Sequence, residues 1–165
     1  MGDSSSVRRW KHIWLNEGFA TYAEWMWSAH EHGATAAQIF DNSYQGLPRG
    51  FYRLPTGDPG PRHLFDIQVY WRGAMTLQGL REKIGDDDFF TILHRWSTGH
   101  RGENVATPQF VHLAERVSGR QLDTFFHRWL FGHKRPADPS PRGEARVSAP
   151  GAAAFVAKLR ATFGR

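Results

Sequence analysis

The chain has no cysteine, which rules out disulfides and thiolate metal sites and is consistent with a cytoplasmic protein. It has no apolar run near the roughly 20 residues needed to span a bilayer. Its start, "MGDSSSVRRW", lacks the apolar core of a secretory signal. Its first 132 residues show no excess of positive charge. Seven of the 21 Lys and Arg lie from His133 onward (Lys134, Arg135, Arg142, Arg146, Lys158, Arg160, Arg165), with Asp138 and Glu144 as that stretch's acids. The 14 bases and 14 acids left over cancel. The formal charge of +5 therefore belongs to the tail, and specific nucleic-acid binding by the body is not expected. A basic tail can still adhere to polyanions.

What is present is aromatic and helical. The 165 residues include seven Trp and twelve Phe, which suits one domain with a real core. The pattern predicts an all-α, compact bundle of about six helices. The first runs from about Ile13 to His32. The second is "TAAQIFDNSYQG", with Thr35 as N-cap and Gly46 as stop. Residues 47–65 hold Pro48, Pro55, Pro59, Pro61 and three glycines, a long irregular loop that reads as cleft border or rigid connector. The third helix covers Ile67 to Ile84, closed by Gly85, with Val69, Gly73, Leu77, Leu80 and Ile84 on one face. Asp86 is the expected cap of the fourth, "DDFFTILHRW". Thr107 is the expected cap of the fifth, with Pro108 at the first helical position and Gly119 past its end. "QLDTFFHRWLFG" is the sixth. Two regions result: 1–132, a helical domain, and 133–165, a Pro/Ala-rich basic tail reading as linker or flexible segment, with a short helix at 153–163.

The first helix raises the functional question. In "WLNEGFATYAEW", Glu17, Thr21, Glu24 and Ser28 share a polar stripe, while Leu15, Phe19, Tyr22 and Met26 share an apolar one. A solvated polar face explains this simply. Yet Gly18 costs about 1 kcal/mol against Ala in a helix interior, which suggests that something approaches the backbone there. Trp14 and Trp25 beside the acids suggest partial burial, and a buried acid needs a cation, a metal or a donor.

"GDSSSVRRWKHIWLNEGFATYAEW" resembles the segment downstream of the zinc-binding helix in aminopeptidase N-like zinc metallopeptidases, the gluzincin aminopeptidases. "VYWRGAMTLQGLR" resembles that family's catalytic-tyrosine helix. "ATPQFVHLAERVSGRQLDTFFHRWLF" resembles, more loosely, the closing helices of its catalytic domain. The resemblance implies the C-terminal helical half of a thermolysin-like catalytic domain. It implies that Glu17 is the third zinc ligand, that Gly18 lets a neighbour pack close, and that Tyr70 donates to the oxyanion of the tetrahedral intermediate. Glu24 would orient a ligand imidazole, or else is simply solvated. Arg72 reads as a solvated side chain, with substrate or phenol positioning as the alternative.

The family's His-Glu-x-x-His helix, with two imidazole ligands and the general-base Glu, would fall before Met1. Its substrate-amine recognition segment is also absent from this sequence. No substitute is found: "HEHGA" at His30 has Ala34 where a second His belongs, and "HLAER" at His112 has no partner His. The expectation is a fragment of a zinc-dependent aminopeptidase that acts on peptides. It would bind no zinc and be inactive alone. A non-catalytic helical interaction module, self-associating through the apolar face left uncovered, is the alternative.

Overall fold

The computed structural model describes residues 6–100 and 104–139. Six α-helices follow one another among these residues: α1 Trp14–His30, α2 Ala36–Gly46, α3 Ile67–Ile84, α4 Asp86–Gly99, α5 Thr107–Ser118 and α6 Asp123–Phe126. The last continues as a π-helical turn, His127–Phe131. The all-α bundle expected from periodicity is what forms. No described helix is long and apolar enough to cross a membrane.

The bundle is built around α3. Val69, Leu77 and Leu80 are fully buried and Ile84 nearly so, as the one-face pattern predicts. Gln68, Arg72, Thr76 and Gln78 on its other faces are buried too, so α3 is enclosed nearly all round. Each polar group then needs an internal partner. Tyr22 Oη donates to Gln78 Oε1 at 2.8 Å, and Thr76 Oγ1 donates to the Arg72 carbonyl at 2.8 Å. Burial pushes the Tyr22 phenol up to about 12.

Local capping chemistry sets several helix ends. Thr35 Oγ1 accepts from Gln38 N–H, and Gln38 Oε1 accepts from Thr35 N–H, a reciprocal pair that starts α2. Gly85 closes α3 at φ 91°, a conformation costly for any residue with a side chain. Two expected caps play other parts. Asp86 is the first residue of α4 rather than its cap, and its carboxylate takes a bidentate pair from Arg81 at 2.8 Å each. That pairing holds its carboxyl below the usual range. Thr107 likewise lies inside α5. The Ala106 N–H at that end is satisfied by Gln109 Oε1 at 2.8 Å.

Thr107 instead ties α5 to the start of α1. Its hydroxyl accepts from Trp14 Nε1 at 2.9 Å and lies 3.0 Å from His12 Nδ1. The Thr107 N–H donates to that same ring nitrogen at 3.3 Å. Beside this junction two two-residue strands, β1 Ser6–Val7 and β2 Asn104–Val105, pair in parallel, an element too short to show as sequence alternation.

The 47–65 segment is a packed connector. A 3-10 turn at Arg49–Arg53 buries Phe51 and Tyr52. Gly57 N–H donates to the Leu130 carbonyl at 2.8 Å, and a Cβ on Gly57 would lie 2.6 Å from the Phe131 ring. The expectation of a solvated Arg72 is overturned. Arg72 is fully buried and donates to the carbonyls of Tyr52 (3.1 Å), Leu54 (2.9 Å), Arg128 (3.1 Å) and Gly132 (2.7 Å). Four carbonyl dipoles solvate the guanidinium in place of water, and burial still lowers its pKa to about 10. One residue of α3 thus clamps the connector and the end of α6 together. Residues 133–139 continue along the body, where Tyr44 Oη donates to the Pro136 carbonyl at 2.8 Å. The rest of the tail, including the expected helix at 153–163, lies outside the described residues.

Candidate metal and active site

Gly18 of α1 and Gly73 of α3 set the geometry of the candidate site. A Cβ on Gly18 would stand 2.8 Å from Gly73 Cα, and one on Gly73 would stand 2.8 Å from Gly18 Cα. No real Cβ is tolerated at that distance, so both positions must be glycine for the backbones to touch. That answers why the acid at 17 is followed by a glycine. Trp14, Thr21, Tyr22 and Trp25 are buried along the same seam. The polar stripe is therefore not a continuous solvated face, since Thr21 within it belongs to the core.

The close crossing brings the first turns of α1 and α3 side by side. Glu17 and Tyr70 occupy those turns, both half-buried, and lie near enough for each to influence the other's titration. Burial raises the Glu17 carboxyl above its usual range, and the Tyr70 phenol beside it partly offsets this. Burial raises the Tyr70 phenol as well, and the Glu17 charge beside it acts in the same direction. The pair is a carboxylate acceptor and a phenol donor, both at helix N-termini where the peptide dipoles favour negative charge.

Glu24 lies two turns farther along α1 and is exposed. It borders a shallow, mostly apolar hollow of about 590 Å3 lined also by Ala20, Ala23, Trp27 and Glu31. The structure thus joins Glu17 to Tyr70 and leaves Glu24 at the surface. His30 and His32 of the "HEHGA" run are exposed. His12, which no motif singles out, is buried in the Thr107 junction and its pKa is lowered, chiefly by that burial. Among the described residues no group of three or more His, Cys, Asp or Glu side chains gathers to hold a metal ion. One carboxylate beside a phenol does not satisfy zinc, which takes three protein ligands in a catalytic site.

Comparison with known proteins adds the family. The peptidase family M1 domain model matches residues 1–129. Aminopeptidase N of Streptomyces lividans is 28% identical over 133 residues, covering 73% of this chain and 16% of that protein. A probable aminopeptidase 2 of Sulfurisphaera tokodaii is 26% identical over 141 residues, covering 73% of this chain and 17% of its own length. The M1 zinc metallopeptidase of Deinococcus radiodurans superposes with a TM-score of 0.68 at 30% identity, over 82% of this chain and 31% of that one. A mutant of that enzyme with a bound Tyr-Ser-Ala substrate superposes at 0.69 and 31% identity, with the same coverage. The chain thus spans about a sixth of these curated relatives and about a third of the solved structures.

Proposed function

This chain belongs to peptidase family M1, and from that membership we propose that it is part of the catalytic domain of a zinc-dependent aminopeptidase acting on the N-termini of peptides. Residues 1–132 form the catalytic portion in this reading, and 133–165 a basic appendage. Glu17 contributes one carboxylate to the metal centre. Tyr70 donates its phenol hydrogen to the oxyanion formed when water adds to the scissile carbonyl. Glu24 orients a ligand imidazole. The observation that carries the proposal is the proximity of Glu17 and Tyr70 at the Gly18–Gly73 crossing, where each influences the other's titration. It joins two residues 53 positions apart in sequence whose roles were inferred from separate motifs.

The donor set limits what the chain does alone. In this reading it supplies one ligand and one oxyanion donor, and among the described residues no group of three His, Cys, Asp or Glu gathers to complete a metal site. The proposal is therefore that this chain by itself neither retains zinc nor hydrolyses peptides, and that activity requires the His-Glu-x-x-His segment. The test is zinc analysis after dialysis, together with hydrolysis of aminoacyl arylamides by the chain alone and with that segment supplied. Zinc-free, inactive chain that gains hydrolysis with the segment supports the reading. About one tightly held zinc per isolated chain would overturn it.

A second reading has its own observation. Trp27 is 62% exposed beside Ala20 and Ala23 in the hollow on α1, an apolar surface suited to association. Light scattering separates the two: an isolated chain that is strictly monomeric and binds nothing through this face argues against an interaction module.

A further inference from the structure

Along the sequence, the net positive charge lies in the tail. In three dimensions part of it meets arginines of the body. Arg49 and Arg53 of the 3-10 turn converge with His133, Lys134 and Arg135 around a cavity of about 520 Å3, and no carboxylate is among the described residues that line it. The turn carries its two arginines outward, four residues apart, while Phe51 and Tyr52 between them are buried and anchor it. Arg135 is held in place by a hydrogen bond to the Leu47 carbonyl and by the rings of Tyr44 and Tyr52, whose centroids lie 5.5 and 5.6 Å from its Cζ. His133 Nδ1 bonds the Arg53 carbonyl at 2.9 Å, which joins the two walls. Beneath them, buried Arg72 grips Tyr52 and Leu54 on one wall and Gly132 on the other.

We propose that this pocket binds a compact polyphosphate, either free or carried by a nucleotide. Like charges held this close repel one another, and a multivalent anion relieves the repulsion. Arginine forks match phosphate oxygens in geometry as well as charge. The walls are fixed before any ligand arrives, so little ordering is required on binding. The pocket is local and concave, and the first 132 residues carry no net charge. The site therefore suits a short, highly charged ligand.

Isothermal titration calorimetry of the full chain at low salt tests this, with sodium triphosphate, adenosine triphosphate and a short DNA duplex as probes. Saturable one-to-one binding of triphosphate is expected. Equal affinity for adenosine triphosphate assigns recognition to the phosphates alone, and tighter binding assigns it to a nucleotide. The doubly substituted Arg49→Ala, Arg53→Ala chain should bind about tenfold more weakly, as should Lys134→Glu. Both alter exposed side chains, and circular dichroism checks that the helices persist. Arg8→Ala with Arg9→Ala removes the same charge elsewhere and should leave affinity intact. The proposal is overturned if triphosphate binding does not saturate, if the Arg8 and Arg9 control weakens it equally, if the pocket variants keep full affinity, or if the duplex binds more tightly than triphosphate.

Discussion

Gly18 and Gly73 meet backbone to backbone, and a methyl group on either would stand 2.8 Å from the other's Cα. The contact is reciprocal, so neither helix can yield without moving its whole axis. Gly73→Ala is therefore expected to destabilise the chain by about 2 kcal/mol, within the range for overpacking a tight contact. Both glycines lie inside helices, so alanine at either regains about 1 kcal/mol of propensity, and Gly18→Ala, whose Cβ would meet Gly73 Cα and C at 2.8 and 2.9 Å, should cost at least as much. Urea unfolding followed by circular dichroism measures both. Unchanged midpoints for both variants would show that the helices do not cross this closely.

Arg72 offers a prediction of a different kind. Its guanidinium satisfies four carbonyls from two chain segments. Arg72→Met fills similar volume but strands those carbonyls, at a cost of at least about 3 kcal/mol if only some recover a water. Arg72→Lys should rescue little, because one ammonium cannot span the fork. Protease cutting within residues 47–65 should rise in both variants, and a connector that stays resistant would argue against the clamp.

What could be foreseen divides along the same physical line. Thr35, Gly85 and the boundaries of α3 were legible because capping and hydrophobic periodicity are local signals. Gly18 was legible as an anomaly, a helix breaker inside a helix, and its partner emerged only with α3 in place. Thr107 was misjudged because its hydroxyl bonds Trp14, 93 residues away, and no local rule sees that competitor. Arg72 was misjudged because arginine is seldom fully buried, and carbonyls leave no mark in a sequence. The acid and the phenol of the candidate site came from motif resemblance. Their proximity came from the fold.

The raised Glu17 carboxyl makes stability depend on pH. Its folded pKa lies above its unfolded one, so the folded state holds the proton more tightly through that window. Stability is accordingly greatest below the unfolded pKa and declines as pH rises through the folded one. Glu17→Gln keeps an acceptor for Tyr70 and removes the charge. It should stabilise the chain at neutral pH by under about 1 kcal/mol, since the group is only half-buried and solvent screens it. The gain should fade below the carboxylate range, where the wild-type acid is neutral too. Chemical denaturation at neutral pH and in acid reads the difference, and a gain independent of pH would rule out charge as its cause.

The last prediction separates Glu17 from Tyr70 in a protein that carries the whole M1 catalytic domain. The two side chains are near enough to influence each other, so a structural lesion at either could disturb both, and loss of activity alone would not distinguish their roles. Metal content and turnover together do. If Glu17 is a ligand, Glu17→Ala should lose most of the zinc, and activity should fall in proportion. If Tyr70 acts on the oxyanion, Tyr70→Phe should retain full zinc, because the phenol is not a ligand. Its kcat should fall about 10²- to 10³-fold with KM little changed, as when a donor that acts mainly in the transition state is removed. Tyr70→Phe that sheds zinc would mean that the hydroxyl serves mainly to hold Glu17 in place. Tyr70→Phe with full zinc and unchanged kcat would reduce the phenol to a packing residue, whatever its position beside the acid.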